Sequence, residues 1–212
     1  MNYSISIFVI KRVVYLDYIN KIEDLIKKQK GTVLSSDLDL YKIPRSYLQM
    51  MVAEGKLERI NRGIYVSADF IEDEMYSMQR KYQKLIYSHE TALFLHGLSD
   101  RTPFEYSATV PSGYKVVENV ADRFKIFYVK KELHELGAVT VKTAHGNPIK
   151  VYDTERTICD LIRSRNRIDV QILNDALKRF VKLKSADFST LMDYARKLKI
   201  ESVLKGYIEV LL

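Results

Sequence analysis

The chain of 212 residues has few of the residues that build disulfide-rich or cysteine-ligated metal proteins. It has one cysteine, Cys159, and four histidines. This excludes an internal disulfide framework and a zinc site made of several cysteines. Eight glycines and four prolines are too few for long linkers or low-complexity segments. We therefore expect an ordinary folded chain with no cofactor and no bound metal.

A long hydrophobic run is also missing. The most apolar segment near the start covers residues 3–10, and two basic residues follow it at once. It is about half as long as a membrane span, and it lacks the flanking residues of a signal peptide. The alternation of Ile5, Ile7 and Val9 fits a short strand, and an N-terminal extension over residues 1–17 fits equally well. We expect a cytoplasmic protein with no membrane partner.

The chain does have enough apolar residues for a core, at 47%, and a net charge of +7. A basic surplus favours a polyanionic partner such as nucleic acid. Residues 1–80 carry a net charge of only +1, and residues 81–212 carry +6. A nucleic-acid-binding surface in residues 1–80 therefore requires basic residues to be grouped on one face, because the net charge of this part is close to zero.

Length favours two domains, and the composition changes at the acidic, apolar-poor stretch 69–74. We predict an α+β protein with an N-terminal winged helix-turn-helix and a mixed α/β C-terminal domain that ends in a cluster of helices. The predicted segments are an N-terminal extension, a first domain, a linker helix and a second domain, over residues 1–17, 18–68, 69–85 and 86–212.

Three helices are predicted in the first domain. Apolar residues at helical spacing predict a helix over residues 18–29, which stops at Gly31. A cluster of N-capping residues opens a short helix over residues 35–41. A proline at the first position starts the next helix, over residues 44–53, and Gly55 ends it.

Two short strands follow the helices. Residues 57–60 and 64–66 alternate in hydrophobicity, and Asn61-Arg62-Gly63 between them is typical of a hairpin turn. A short helix, a tight turn, a second helix and a basic hairpin form the layout of a winged helix-turn-helix. In that layout the second helix enters the major groove, and the hairpin lies against the neighbouring DNA backbone.

Helical spacing divides residues 44–53 into two faces. The face predicted to pack inward is formed by Pro44, Leu48, Met51 and Val52. The face predicted to point outward is formed by Ser46, Gln49, Met50 and Ala53, with Arg45 and Tyr47 on its flanks. Arginine can pair with guanine and glutamine with adenine, which makes Arg45 and Gln49 the candidate base contacts.

The hairpin and the start of the short helix add candidate phosphate contacts. Backbone amides at a helix start and basic residues in a hairpin both suit phosphate. The complete set of predicted DNA-binding residues is Ser35, Ser36, Lys42, Arg45, Ser46, Tyr47, Gln49, Arg59, Asn61 and Arg62. The same polar surface would also suit a solvated helix, or a helix-turn-helix that binds only protein.

Strands and helices are also predicted in the second domain. A helix over residues 89–96 is capped by Ser88 and ended by Gly97. Strands are predicted over residues 106–110, 124–129, 139–143 and 149–152. The remaining helices begin at Asp153 or Thr154, Asp169, Asp187 and about Glu201.

Several residues resemble catalytic motifs but lack the rest of the motif. Asp37 and Asp39 have the spacing of a two-metal nucleotidyltransferase, yet no glycine turn accompanies them, and acidic residues are expected at a helix start. His89 and His96 are seven residues apart, whereas a zinc-binding helix needs two histidines one turn apart. Cys159 lies among apolar helix residues and is expected to be buried. We do not expect an enzyme.

Three stretches, in this order along the chain, resemble the AbiEi family of antitoxins. The first is Gly55-Lys-Leu-Glu-Arg-Ile-Asn-Arg-Gly-Ile-Tyr65. The second is Ser88-His-Glu-Thr-Ala-Leu-Phe-Leu-His-Gly-Leu-Ser-Asp100, with Pro103 after it. The third is Val151-Tyr-Asp-Thr-Glu-Arg-Thr-Ile-Cys-Asp-Leu161. The similarity runs from about residue 18 to the end, and the first stretch alone is shared by many winged helices.

This resemblance implies a function. The family is the transcriptional half of bacterial AbiE abortive-infection systems, in which phage infection is countered by a toxin-antitoxin pair. The N-terminal winged helix would bind promoter repeats and repress its own operon. The C-terminal domain would counter a nucleotidyltransferase toxin in a type IV arrangement, without a stable complex. A monomer in solution that binds cooperatively on DNA is compatible with this role.

The family pattern also includes His89, Asp100, Asp153 and Arg156, which we expect to act structurally, as helix caps and an interstrand ion pair. Two other functional classes remain as alternatives: a nucleotidyltransferase-like enzyme and a winged-helix protein-interaction module.

The surplus basic residues of the second domain occur in groups, which predicts that this domain adds electrostatically to DNA binding. The groups contain Arg123, Lys125, Lys130, Lys131, Arg163, Arg165, Arg167, Lys178, Arg179, Lys182, Lys184, Arg196, Lys197 and Lys199.

Overall fold

The computed structural model describes residues 2–116 and 124–211, with side chains over residues 15–116 and 124–209. The chain forms two compact units, Met1–Lys81 and Tyr82–Leu212, here called the N-terminal unit and the C-terminal unit. Each unit contains helices and a sheet. The predicted α+β class is therefore confirmed.

The N-terminal unit is a small antiparallel sheet with helices. Its three strands are arranged in the order β1-β3-β2, and Tyr65 of the central strand lies opposite Val33 on one side and Arg59 on the other. The elements in chain order are α1 (Asn2–Lys28), β1 (Thr32–Leu34), α2 (Ser35–Leu40), α3 (Ser46–Ala53), β2 (Leu57–Asn61), β3 (Ile64–Ser67) and α4 (Glu74–Lys81).

The first helix begins much earlier than predicted. α1 starts at Asn2, so the strand suggested by Ile5, Ile7 and Val9 is wrong, and the backbone of residues 2–17 continues the helix. No glycine or proline interrupts residues 2–28. Extending an existing helix gains one hydrogen bond per residue without a second nucleation cost. The β-branched residues lower helix propensity by only a few tenths of a kcal/mol, roughly, which extension overcomes.

The end of α1 agrees with the prediction. Lys30 and Gly31 both have left-handed backbone angles, with φ of 50° and 91°. The Gly31 amide donates to the Ile26 carbonyl at 2.8 Å, which closes the helix end. A Cβ on Gly31 would lie 2.4 Å from the side chain of Phe70. Glycine is therefore required here by backbone angle and by close packing.

The core of the N-terminal unit joins α1, α2, α3 and the sheet. Leu48 and Met51 of α3 are at most 1% exposed, as predicted for its inward face. Pro44 is exposed, contrary to prediction, because α3 begins only at Ser46. Met50 was predicted to point outward, but it packs against the core edge.

The C-terminal unit contains a five-stranded mixed sheet and a group of helices. The strand order is β6-β5-β4-β8-β7, with parallel pairing of β5 with β6 and of β4 with β8. The elements are β4 (Ile86–Tyr87), α5 (His89–Leu95), β5 (Tyr106–Pro111), β6 (Phe124–Val129), β7 (Ala138–Lys142), β8 (Pro148–Tyr152), α6 (Thr154–Arg163), α7 (Val170–Phe180), α8 (Phe188–Lys197) and α9 (Glu201–Leu211).

Sequence analysis found most of these elements. The predicted linker helix over residues 69–85 is shorter in the structure, where α4 covers Glu74–Lys81. The central strand β4 was missed because two residues are too short for a periodic pattern.

Three of the four helix caps predicted in the C-terminal unit are confirmed. Ser88 makes no side-chain cap, because its hydroxyl is bonded to the His89 ring and the Thr109 hydroxyl. The side chains of Asp153, Asp169 and Asp187 each accept a hydrogen bond from a backbone amide in the first turn of α6, α7 and α8. Each cap satisfies one of the amides that a helix start leaves without an intrahelical partner. Cys159 is fully buried as predicted, and burial raises the pKa of its thiol to about 12.

Arg156 forms a different ion pair from the one predicted. Its guanidinium Nε donates to Asp160 at 3.1 Å, one turn away on the same helix, so the expected interstrand pair is wrong. Nη1 donates to the carbonyls of Leu133 and Leu136. Residues four apart face each other along a helix, and the pair therefore forms within α6.

Among the described residues, no helix combines the length and the apolar character that crossing a bilayer requires.

Candidate nucleic-acid interface

The turn between α2 and α3 is tight and locally stabilised. The Leu34 amide donates to the Asp37 carboxylate at 2.8 Å, which caps the start of α2. At the other end, the Ile43 amide donates to the Leu38 carbonyl at 3.0 Å, and the exposed Lys42 has a left-handed φ of 54°. This geometry ends α2 and lets α3 begin three residues after Ile43.

The exposed face of α3 contains part of the predicted set. Ser46, Gln49 and Ala53 are exposed, as predicted. Tyr47 is different, because its half-buried ring lies 5.2 Å from the Tyr18 ring and 5.9 Å from the Tyr15 ring. α1 therefore holds this ring against the protein, and the polar groups of Ser46 and Gln49 are left to meet a ligand.

Arg45 is exposed but already engaged by a carboxylate. Its Nη2 lies 2.6 Å from Asp39 Oδ2, and its Nε donates to Oδ1 at 3.2 Å. The hydrogen bond with Arg45 lowers the pKa of Asp39, and the same contact raises the pKa of Arg45. Asp39 occupies the Nε–Nη2 edge of the guanidinium, so Arg45 can offer that edge to a base only after it leaves Asp39.

The β2–β3 hairpin turn has the predicted geometry. The Asn61 side chain accepts a hydrogen bond from the Arg62 amide at 2.7 Å, and Gly63 has a φ of 77°. The pairing register shifts between Arg59 and Asn61. Arg59 and Arg62 are both exposed, so both can reach a phosphate.

The start of α2 is bonded to this turn. The Ser35 amide donates to the Gly63 carbonyl at 3.0 Å, and a Cβ on Gly63 would lie 2.8 Å from the Ser35 hydroxyl. The prediction that the Ser35 amide binds phosphate is therefore wrong, because the hairpin already uses it. Ser36 is exposed beside it.

Lys81, at the end of α4, was missed by the sequence analysis. Its ammonium donates to the Arg62 carbonyl. Partial burial lowers the pKa of Lys81, and the positive charges of Arg62 and Arg59 lower it further. Arg59, Arg62 and Lys81 therefore form one group, here called the hairpin cation cluster. A basic last turn of α4 was visible in the sequence, but its proximity to the hairpin is a tertiary feature.

α4 is attached to the rest of the unit by Arg80. Its Nη2 contacts both oxygens of Asp37 at 2.9 and 2.8 Å, and its Nη1 donates to the Gln29 side chain and the Thr32 carbonyl. Asp37 and Asp39 are thus each held by a different arginine. This arrangement does not support the alternative in which the two aspartates share catalytic metals.

Comparison with known proteins finds a similarity over most of the N-terminal unit. Residues 20–68 match a family model described as a transcriptional regulator, AbiEi antitoxin. The resemblance noted in the sequence is thereby confirmed over these residues, which cover α2, α3 and the hairpin. No curated protein matches the chain.

A solved structure extends the similarity in fold. The crystal structure of RV2827C protein from Mycobacterium tuberculosis matches with a TM-score of 0.60 and 12% sequence identity. The match covers 85% of this chain and 71% of that chain. At this identity the match supports a shared fold and does not transfer a function.

Proposed function

We propose that the protein is a DNA-binding antitoxin that represses its own operon through a winged helix-turn-helix in the N-terminal unit. In this proposal α3 enters the major groove, with Ser46 and Gln49 at base edges, and the β2–β3 hairpin is the wing. Ser36, Lys42 and Asn61 lie at the margins and contact the backbone.

The hairpin cation cluster is the observation that carries the proposal. Burial, and then the positive charges of Arg62 and Arg59, lower the pKa of Lys81, and a bound polyanion would offset the effect of these charges. Two of the three, Arg59 and Arg62, lie inside the segment that matches a family of transcriptional regulators. Phosphate contacts by this cluster would set the position of α3 on the duplex.

The antitoxin activity is assigned to the C-terminal unit. The resemblance to AbiEi proteins supports a type IV system, in which the protein counters a nucleotidyltransferase toxin in the cytoplasm without forming a stable complex. Autorepression through promoter repeats would keep expression of the pair low, and activation of the toxin would abort phage infection.

DNA binding is tested with a duplex from the operon's own promoter. We expect Arg59→Ala/Arg62→Ala to weaken binding by about tenfold or more on every sequence, and each lost phosphate contact to reduce the salt slope by about 0.9. The matched control is Lys27→Ala/Lys28→Ala, which removes two charges from the last turn of α1. Equal losses in both variants, or no promoter binding by the wild type, would contradict the proposal. In the second case the protein-interaction alternative would be preferred.

Antitoxin activity is tested by co-expression with a nucleotidyltransferase encoded beside the gene. We expect full-length protein to restore growth and to show no stable complex in a pull-down. Arg59→Ala/Arg62→Ala should still protect at equal expression, because protection is assigned to the other unit. Loss of protection in this variant alone would place the antitoxin activity on the DNA-binding surface.

A further inference from the structure

A pocket of about 300 Å³ opens in the C-terminal unit. It is formed by α5, β5, β6, the end of α6 and the turn after α6. Its volume lies at the lower end of the range for small-molecule sites, which begins at about 300 Å³. None of the residues of the proposed winged helix-turn-helix lines this pocket.

The inner wall of the pocket is a buried histidine held by hydroxyl groups. The His89 ring is stacked on the Phe127 ring, with 3.4 Å between centroids. Its Nδ1 shares a hydrogen bond with the Ser88 hydroxyl at 2.9 Å, and its Nε2 shares one with the Ser164 hydroxyl at 3.1 Å. Ser164 lines the pocket, so His89 sets the orientation of a hydroxyl group that a ligand would meet.

The rim of the pocket is cationic. Arg163 and Arg167 both line it, and neither forms an ion pair with a carboxylate in the part of the chain that the structure describes. The Arg167 guanidinium lies over the Phe127 ring at 4.6 Å, and Arg163 Nη2 donates to the Tyr128 carbonyl at 3.4 Å. Two guanidinium groups are thus directed to one cavity.

Neighbouring charges leave this rim positive. Asp160 also lines the pocket, but it is buried and paired with Arg156. Lys125 pairs with Glu90 at 3.1 Å and donates to the Arg167 carbonyl at 3.2 Å, which anchors the turn that holds Arg167. The acidic groups at the site are therefore already neutralised by other cations.

The helix dipole explains only half of this charge. Arg163 lies in the last turn of α6, where a cation offsets the helix dipole. Arg167 lies beyond the helix end, in the 3₁₀ turn Arg165–Arg167, and the dipole does not account for its position. A guanidinium presents paired N–H donors that match a phosphate, and arginine is common at phosphate sites for this reason.

The remaining lining favours a nucleotide over inorganic phosphate. Tyr128 follows Phe127 on β6, so its side chain lies on the opposite face of the sheet, and it meets the pocket through its backbone carbonyl, which accepts the bond from Arg163. The Ser164 hydroxyl and the Asn166 amide add polar groups next to the arginines. We propose that this pocket binds a nucleotide, with its phosphate between Arg163 and Arg167 and its sugar hydroxyls at Ser164 and Asn166.

Two sources can supply such a ligand, a free nucleotide and the phosphorylated end of a nucleic acid. Both present the same phosphate, sugar and base. A 5′-phosphorylated tetranucleotide and its 5′-hydroxyl counterpart distinguish the two sources when each competes with a fluorescent nucleotide for the full-length protein.

The experiment measures binding of N-methylanthraniloyl-ATP to the full-length protein by fluorescence anisotropy, with competition by ATP, GTP, CTP, UTP, AMP and adenosine. We expect nucleotides to compete, and adenosine to compete at least about tenfold more weakly because it lacks the charged group. Arg163→Ala/Arg167→Ala should lose about tenfold or more in affinity. The control Lys182→Ala/Lys184→Ala removes two exposed charges outside the pocket and should bind as the wild type does.

A second variant protects the test against misfolding. Asn166→Ala removes an exposed amide, so it should fold, and it should weaken nucleotides while pyrophosphate competition stays unchanged. Absence of binding by the wild type at millimolar nucleotide would overturn the proposal. Equal affinity in the arginine variant and the lysine control would also overturn it, as would competition by adenosine equal to that by AMP.

Discussion

At the scale of single residues, Asp39 controls what Arg45 can do. Because Asp39 binds the Nε–Nη2 edge of the guanidinium and adds a negative charge beside α3, we expect Asp39→Asn to increase affinity for DNA by several-fold at low salt. The charge lost would otherwise repel phosphate. Gel-shift titration of wild type and variant with the same duplex measures the change.

The control for this prediction is Asp193→Asn, which removes an exposed carboxylate paired with Arg196 in the C-terminal unit. It should change the affinity for DNA much less than Asp39→Asn does. Unchanged affinity in Asp39→Asn would show that the carboxylate does not limit the binding surface.

Arg45→Ala should relax base preference at one position, whereas Arg62→Ala should weaken binding to all sequences alike.

His89 gives the C-terminal unit a dependence on pH. Burial, and then the charges of Lys125 and nearby arginines, lower the pKa of His89 well below 6.5. As the pH falls below 6.5, His89 is protonated in the unfolded chain but stays neutral in the folded chain. Protonation therefore favours the unfolded chain, and the free energy of unfolding decreases. We expect the free energy of unfolding to decrease by up to about 1.4 kcal/mol per pH unit between roughly pH 6.5 and 5.5.

Urea titrations across this range test the prediction with two variants. His89→Gln should flatten the slope, and His145→Gln, at an exposed position, should retain it. Burial raises the pKa of Asp153 and Asp160, which stabilises the fold as pH decreases further, so the comparison is confined to the range above pH 5.5. The same slope in His89→Gln and the wild type would refute the assignment.

At the scale of elements, α4 is part of the N-terminal unit and not only a connection. The Arg80 and Asp37 side chains are 18% and 13% exposed, and Thr32 and Ser77 share a buried hydrogen bond at 3.3 Å. We expect Arg80→Ala to destabilise the N-terminal unit by about 1–3 kcal/mol, because it leaves Asp37 half-buried without its cation. Hydrogen exchange of the β1 and α4 amides measures this local stability.

The comparison for Arg80→Ala is an arginine in a solvent-exposed ion pair. Arg196 pairs with Asp193 at 3.0 Å with both side chains more than half exposed, and Arg196→Ala should change stability by less than about 1 kcal/mol. If Arg80→Ala leaves exchange in β1 and α4 unchanged, the contacts of α4 do not stabilise this unit.

At the scale of the whole molecule, the basic surplus lies in the second part of the chain. Residues 81–212 carry +6, against +1 for residues 1–80. Some of the grouped cations are paired in the structure, such as Lys125, Arg179 and Arg196, and Arg123 lies outside the described residues. The described cations of these groups that form no ion pair with a described carboxylate are still predicted to add phosphate contacts.

Salt dependence tests this contribution. Each additional phosphate neutralised steepens the slope of log K against log salt by about 0.9. We expect full-length protein to have a clearly steeper slope than residues 1–81 on a non-specific duplex, measured by fluorescence anisotropy. Circular dichroism of the fragment is the control for folding. Equal slopes with a folded fragment would show that the surplus charge does not contact DNA.

The sequence by itself determined the elements whose signals are local. The caps at Asp153, Asp169 and Asp187, and the turn at Asn61-Arg62-Gly63, were predicted and found. The inward positions Leu48 and Met51 were predicted from spacing alone. These features depend on hydrogen bonds or periodicity within a few residues, so neighbouring residues suffice to specify them.

Only the tertiary structure decided which distant groups meet. Lys81 and Arg62 are 19 residues apart, and His89 and Ser164 are 75 residues apart. The Ser35 amide was expected to bind phosphate, but packing brings it to the Gly63 carbonyl. Many polar groups could have paired with these residues, and the choice among them depends on how the helices and strands pack. Packing is set by the whole core, so local sequence patterns do not contain it.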